Sequence, residues 1–171
     1  MHIKKAFTLV EIMVVLCLCM LIAHFTFVQV SFLDELMMRT ELDKLMTACL
    51  YMQQLAIATN EEKYLTFDEY THEYNFGTFH EKLPPRVRFG CLSGVKGPPG
   101  SSMSAVEKAI TFPARRICFY PTGIISAGTV YLIDIKKRLQ YALSNAVCQV
   151  SYLRMYRYEG GWKLYSYDKK D

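Results

Sequence analysis

The sequence predicts an α+β fold in which a long N-terminal α-helix packs on a C-terminal antiparallel β-sheet domain. No glycine or proline occurs before Gly77, so nothing in the first 76 residues must interrupt a helix. Beyond Asn60, short segments with alternating apolar and polar residues follow one another, and turns that contain glycine or proline separate them. An apolar stripe on the helix is the natural cover for the apolar face of such a sheet.

Length and composition indicate one globular domain plus an anchor. The chain has 171 residues, of which 51% are apolar, with 12 Tyr and 10 Phe. This composition excludes a disordered, solvating chain. The net charge is +4, and it falls to about +2 if Lys4 and Lys5 are removed with the first six residues. Such a mild charge does not indicate nucleic acid as a partner.

The apolar run of residues 7–33 has three interpretations. A secretory signal peptide fits the basic start, but no small-x-small cleavage site follows Ala23. A plain membrane anchor explains a run that exceeds the roughly 20 residues needed to cross a bilayer, with Lys4 and Lys5 on the cytoplasmic side. An anchor does not explain Glu11, because a lone carboxylate in hydrocarbon costs about 2 to 3 kcal/mol. The third interpretation accounts for this carboxylate.

Residues 4–11, KKAFTLVE, resemble the N-terminal signature of type IV pilins and pseudopilins. The resemblance implies that residues 1–6 are a leader peptide, which a prepilin peptidase removes by cutting between Ala6 and Phe7, and that Phe7 is then N-methylated. The family usually has Gly before the cleaved bond, where this chain has Ala6. Glu11 takes the fifth mature position, where the family's glutamate is taken to pair with the new amine of a neighbouring subunit entering the filament.

Elementary electrostatics agrees with this role for Glu11. Cleavage exposes an α-amine at Phe7, which is cationic at neutral pH. A partner charge within about 4 Å makes a buried carboxylate tolerable, since attraction in a low dielectric offsets part of the desolvation cost. Pairing of the two groups would fix the register of assembly.

The second half of the helix, residues 34–59, is amphipathic. Its apolar residues recur at spacings of three and four, namely Leu42, Leu45, Met46, Cys49, Met52, Leu55 and Ala56. The polar face carries Glu41, Lys44, Thr47 and Gln54. We expect this helix to pack its apolar stripe on the domain that follows.

Residues 60–171 are expected to form a β-rich domain outside the cytoplasm. Strands are predicted in the segments RVRFGCL, AITF, RICFY, TVYLIDI, LQYALS, VSYLRMYRY and WKLYSY. The stretch TNEEKY is expected to be a polar exit from the helix. The stretch DEYTHEYNFGTFHEKLPP is expected to be rich in loops, with at most a short strand or helix turn.

Residues 110–134, ITFPARRICFYPTGIISAGTVYLID, resemble a segment of the H-type minor pseudopilins of type II secretion and of the related FimT-like minor pilins. The similarity consists of FYPTG at residues 119–123, then a small-residue turn with Ser126 and Gly128, and then a strand. These families often have Gly-Arg before the final strand, where this chain has EGGW at residues 159–162. The resemblance implies a minor pseudopilin.

The favoured function is therefore structural: a minor pseudopilin in the bacterial inner membrane, with a cytoplasmic N-terminus and a periplasmic C-terminal domain. Its expected partners are other pseudopilins or pilins, the prepilin peptidase, the inner-membrane assembly platform and, through residues 7–33, membrane lipid. No catalytic residues and no cofactor are predicted, because G-x-S-x-G is absent and GCLSGVKG lacks the spacing of a phosphate-binding loop. No metal site is predicted, since His72 and His80 lack companions at ligand spacing.

The alternative is a binding module, a minor type IV pilin of a pilus or competence system whose tip captures DNA. Its candidate DNA contacts are Arg154, Arg157 and Lys163, which lie among tyrosines and Trp162. Cations and rings together can hold a single strand. The competing interpretation is a pair of solvated strands with tyrosines on the outer face, and the near-neutral charge of the processed chain favours it.

The six cysteines fall into two groups. Cys17 and Cys19 lie in the apolar run and are expected to act as small hydrophobic residues. The other four would lie outside the cytoplasm, where disulfides can persist: Cys49, Cys91, Cys118 and Cys148. Four cysteines allow three pairings, and a free buried thiol at Cys49 is the alternative to a bridge there.

Overall fold

The computed structural model describes residues 8–98, 105–145 and 152–165, without the side chains of residues 25–31. These residues form an α+β structure, which confirms the predicted class. One long helix, α1, spans Leu9–Thr59. The strands are β1 (Lys63–Asp68), β2 (Glu73–Phe76), β3 (Phe79–Lys82), β4 (Val87–Phe89), β5 (Arg116–Phe119), β6 (Gly128–Asp134), β7 (Gln140–Asn145), β8 (Arg154–Tyr158) and β9 (Trp162–Leu164).

The chain divides into two compact units, Met1–Leu36 and Met37–Asp171. In the first unit, the described side chains of residues 8–24 are all exposed, and Glu11 is the one charged residue among them. Among the described residues, none of the helices combines the length and the apolar character that a membrane crossing requires.

The second unit contains two sheets in which every neighbouring pair of strands is antiparallel. The first sheet has the strand order β3-β2-β1-β5, and the second has the order β4-β6-β7-β8-β9. In β1, the buried residues Leu65 and Phe67 alternate with exposed ones, as in a strand with one face in the core. The two-residue turn between β2 and β3 contains Gly77 at φ +58°, a conformation that glycine adopts without steric cost.

The second sheet is covered on both faces. β6 and β7, its longest pair, run in register from Gly128 opposite Asn145 to Ile133 opposite Gln140. Val130 and Leu132 on β6 point to the main core, whereas Tyr131 between them belongs to a smaller cluster on the opposite face.

One core joins α1 to both sheets. The helix contributes Met38, Leu42, Leu45, Ala48, Cys49, Met52 and Ala56, and the sheets contribute, among others, Leu65, Ile117, Phe119, Val130, Leu132, Tyr141 and Leu143. The predicted apolar stripe of α1 is thereby confirmed, with Met46 and Leu55 partly buried at its margin. Glu41 was assigned to the polar face, but this is wrong. Its side chain is buried and accepts a hydrogen bond from Lys44 Nζ at 2.7 Å.

The first sheet corrects the sequence prediction in part, because β2 and β3 are two strands in the stretch expected to be rich in loops, and β1 begins within the expected helix exit. Strands β4 to β9 each lie within or against a predicted strand segment. The segment AITF is not a strand, and it contributes only an isolated bridge between Ile110 and Val130. Half of the residues in β1, β2 and β3 are charged residues, Thr or Asn, so the apolar positions give only a weak strand signal.

Gly128→Ala tests the packing at the start of β6. An added Cβ would lie 2.4 Å from Phe112 Cδ1 and 2.8 Å from the Phe112 Cα, and a backbone atom cannot rotate away. We expect the free energy of unfolding to fall by about 1 to 3 kcal/mol, as for other overpacked core sites. Urea denaturation followed by far-ultraviolet circular dichroism measures this change.

The matched control is Gly161→Ala, because no atom lies within 4 Å of the Cβ it would add. Its expected effect is below about 0.5 kcal/mol. Equal losses for the two variants would contradict the close approach of Phe112 to β6.

Candidate functional site

Two reciprocal hydrogen bonds between Thr8 and Glu11 hold the start of α1. The backbone N–H of Glu11 donates to Thr8 Oγ1 at 3.3 Å, and the backbone N–H of Thr8 donates to Glu11 Oε2 at 3.4 Å. Thr8 precedes the helix and Glu11 is its third residue, which is the capping-box arrangement. The motif supplies acceptors for two N–H groups at a helix end, where intrahelical partners are lacking.

The cap leaves part of the Glu11 carboxylate available. The hydrogen bond from Thr8 uses Oε2, and a carboxylate can accept several bonds through its two oxygens. Glu11 is also exposed, so Oε1 can accept a donor from another chain. The predicted processing residues Ala6 and Phe7 lie outside the described residues. Sequence analysis missed the cap, although the Thr-x-x-Glu spacing is its signal.

The candidate DNA contacts lie on the β8–β9 hairpin, where one carboxylate binds two of the three cations. Arg157 Nε lies 2.9 Å from Glu159 Oε1, and Lys163 Nζ lies 2.7 Å from Glu159 Oε2. The hydrogen bond from Lys163, with the charge of Arg157, lowers the pKa of Glu159. The carboxylate therefore stays ionised and neutralises much of the positive charge that a phosphate backbone would need.

The third cation, Arg154, lies on the other face of the sheet. Alternation along β8 places Arg154 with Tyr156, whereas Arg157 is directly opposite Lys163 on β9. The Arg154 guanidinium lies over the Tyr152 ring, 4.9 Å from its centroid. The structure thus does not bring the three cations together on one face.

The aromatic rings of this hairpin are buried (Tyr156) or partly buried against other side chains (Tyr158 and Trp162). Trp162 packs against Tyr131 and Tyr158, with ring centroids 5.9 and 5.4 Å away. Its Nε1 donates to the Lys96 carbonyl at 2.6 Å, which fastens a loop over the outer face of the sheet. Rings occupied in this way do not form an open platform for stacking bases.

Three of the candidate disulfide cysteines, Cys49, Cys91 and Cys118, are free thiols in the structure, and Cys148 lies outside the described residues. Cys49 has no exposed surface, and burial raises the pKa of its thiol well above the usual value. A neutral, enclosed thiol acts as a small apolar residue and not as a nucleophile. This arrangement is the free-thiol alternative at Cys49.

The described residues contain no cluster of three or more His, Cys, Asp or Glu side chains that could hold a metal ion. The two histidines considered from sequence have other surroundings. Burial lowers the pKa of His72, whose ring lies 6.3 Å from that of Phe89. The His80 ring contacts Asn75 through Nδ1 and lies 3.1 Å from Glu73 Oε2 through Nε2.

Comparisons with protein-family models, with curated proteins and with solved structures gave no match. The function of the chain is therefore inferred from its own residues and geometry.

We expect the protein to give no salt-sensitive binding to single-stranded DNA. Glu159 pairs with Arg157 and Lys163, and Arg154 points to the opposite face, so these three cations do not form a basic stripe. Fluorescence anisotropy of a labelled oligonucleotide, at about 50 and about 200 mM salt, measures binding and its salt dependence.

Glu159→Gln is the informative variant, because it removes the charge that neutralises the two cations. We expect weak, salt-sensitive binding to appear only in this variant. Binding by the wild-type protein that Arg154→Ala abolishes would contradict the geometric argument and would favour the DNA-capturing alternative.

Proposed function

We propose that the chain is a minor pseudopilin, a structural subunit of the inner-membrane pseudopilus that drives type II protein secretion. The observation that carries the proposal is the exposed, apolar start of α1 with its single carboxylate. Glu11 is the one charged residue between Leu9 and Ala23 in the sequence. Its position and the preceding KKAFT agree with the pilin signature, and its side chain lies at the helix surface.

The exposed apolar surface of this segment would be stabilised by contact with lipid or with other helices. Leu9, Met20 and Ile22 are among its most exposed side chains, with 75%, 72% and 66% of their surface accessible to solvent. Burial of apolar surface contributes about 25 cal/mol per Å², so a bilayer or a bundle of neighbouring helices would stabilise this segment far more than water. A pilin-type subunit meets the first environment before assembly and the second after it.

Glu11 would serve two purposes in such a subunit. Within its own chain, Oε2 caps α1 together with Thr8. Toward the next subunit, Oε1 would accept the N-methylated amine of Phe7. A charge-assisted bond of this kind is about twice as strong as a neutral one, and apolar surroundings strengthen it further. Entry of the subunit in the wrong register would leave the carboxylate buried without a cation.

In such a subunit each part of the chain would have a defined location. Residues 1–6 would be the leader, with processing at the bond between Ala6 and Phe7, and residues 7–33 would contact lipid before assembly. The second unit, Met37–Asp171, is the globular unit and would lie in the periplasm. Its partners would be the prepilin peptidase, the assembly platform and other pseudopilins. The DNA-capturing pilin receives less support, because its candidate cations are divided between two faces and two of them, Arg157 and Lys163, pair with Glu159.

The first experiment concerns processing. We expect protein made together with a prepilin peptidase to lose residues 1–6 and to carry a methyl group on the amine of Phe7. Intact mass and N-terminal sequencing of the membrane-extracted protein measure both changes. Protein made without the peptidase should keep Met1.

Two variants of Ala6 sharpen this experiment. Ala6→Gly restores the residue usual in the family and should be processed at least as completely as the wild type, whereas Ala6→Trp should be resistant because of its bulk. An unchanged N-terminus in both the wild type and Ala6→Gly would contradict the proposal and leave a plain anchor.

The second experiment separates the two purposes of Glu11. Glu11→Gln keeps a capping residue, because Gln also serves at this position of a capping box, but it removes the negative charge. Thr8→Val removes the cap hydroxyl, at a cost of about 1 kcal/mol, and keeps the charge. Cross-linking of the subunit to its filament neighbours in membranes measures assembly.

We expect Glu11→Gln to lose most of the cross-linked product and Thr8→Val to retain most of it. Glu11→Ala should behave like Glu11→Gln. Assembly of either Glu11 variant at the wild-type level would show that the carboxylate does not pair with the amine.

A further inference from the structure

A groove of about 650 Å³ lies between α1 and the β2–β3 hairpin. Four of its ten lining residues are aromatic, namely Tyr51, Tyr74, Phe76 and Phe79. Tyr51 makes edge-on contacts with Phe76 and Phe79, each at 6.4 Å between ring centroids, and the two phenylalanines stack at 5.2 Å. Tyr51 and Phe79 nevertheless remain 47% and 53% exposed. Half-exposed rings in a cleft of this volume are typical of binding sites, because further burial of the rings is favourable.

The outer edge of β3 forms one border of the groove, and among the residues that the structure describes no strand pairs with it. β3 is the terminal strand of the first sheet, and all four of its residues are exposed. Phe76 and Phe79 flank the two-residue turn, so their backbone groups bond to each other. Alternation then directs the backbone N–H and C=O groups of His80 and Lys82 to the outer side of β3. The edge therefore offers two donors and two acceptors at strand spacing.

The charges beside the groove are mainly negative. Asp43 and Glu81 line it, and Lys44 is the lysine in its wall. Lys44 Nζ is bonded at 2.7 Å to Oε1 of Glu41, which does not line the groove. On β3, Phe79 and Glu81 point to the groove side, whereas His80 and Lys82 point away with their register partners Asn75 and Glu73.

We propose that this groove and the β3 edge bind an extended segment of another polypeptide as an added antiparallel strand. The segment would place a basic side chain beside Glu81 and an aromatic or large apolar side chain beside Phe79, which is the pattern basic-x-apolar. Backbone hydrogen bonds to His80 and Lys82 would supply affinity, and the two groove-side neighbours would supply selectivity. This site lies entirely in the globular unit and does not depend on the proposed function.

The order of the two side chains follows from strand direction. In an antiparallel pair, the residue opposite Glu81 precedes the residue opposite Phe79 by two positions. Residues two apart on a strand point to the same face, so both enter the groove side. The exposed Glu81 carboxylate favours Lys or Arg at the first position and disfavours Glu or Asp there.

Synthetic peptides test the proposal with the full chain in lipid nanodiscs. The probe is fluorescein-labelled Thr-Lys-Thr-Phe-Thr with blocked ends, and the matched peptides replace its Lys by Glu, its Phe by Ser, or methylate the backbone nitrogens that face β3. Fluorescence anisotropy measures each dissociation constant. We expect the Lys peptide to bind about tenfold more tightly than the Glu peptide and the methylated peptide not to bind, since it lacks the edge donors.

Two protein variants test the position of the site. Glu81→Lys should reverse the preference, so that the Glu peptide binds more tightly than the Lys peptide. Glu107→Lys makes the same charge change at an exposed residue outside the groove and should leave the preference unchanged. Reversal by both variants would show that the net charge of the protein, and not the groove, determines which peptide binds more tightly.

Three results would overturn the proposal. Equal binding of the methylated peptide would mean that the groove takes single apolar side chains without strand pairing. Absence of binding by every peptide at millimolar concentration would mean that the edge accepts no strand of this pattern. Oxidative dimers of the His80→Cys variant, without dimers of a Glu107→Cys control, would make a second copy of the chain the occupant.

Discussion

The burial of one face of α1 in a core shared by two sheets is the interaction on which the rest of the globular unit depends. Each sheet has an apolar face that needs a cover, and the same helical stripe serves both. A buried hydrogen bond crosses from the helix to the sheet side of this contact: Gln53 Nε2 donates to the Gly123 carbonyl at 2.7 Å. Loss of one of these partners would cost about 1 to 3 kcal/mol, so the bond favours one rotation of the helix about its axis.

The two sheets differ in which faces and strand edges remain exposed to solvent. The second sheet has both faces covered, because a loop and the Tyr131 cluster enclose the face that points away from α1. The first sheet ends in β3, whose backbone edge and neighbouring rings remain exposed. On the β8–β9 hairpin of the second sheet, by contrast, Glu159 pairs with both Arg157 and Lys163.

Much of this arrangement could be predicted from the sequence, because periodicity records burial. The stripe from Leu42 to Ala56 and the alternation in β6 to β8 are examples. Within the first sheet, β5 was predicted, whereas EYNF and FHEK were assigned to a loop-rich stretch because each has four residues, of which half or more are charged or polar. Sequence spacing likewise cannot show that the β8–β9 turn brings Glu159 between Arg157 and Lys163. The capping box at Thr8 was predictable and was missed, because the resemblance gave Glu11 another purpose.

The position of Trp162 has an optical consequence. It is the chain's single tryptophan, and its indole sits among tyrosine rings with its N–H bonded to the Lys96 carbonyl. The intrinsic emission of the protein therefore comes from the outer cover of the second sheet and not from the helix-bearing core. Loosening of this cover would shift the emission spectrum while the helical signal stays constant. Tryptophan fluorescence, compared with the helical circular dichroism signal, thus distinguishes a local opening of this cover from unfolding of the whole chain.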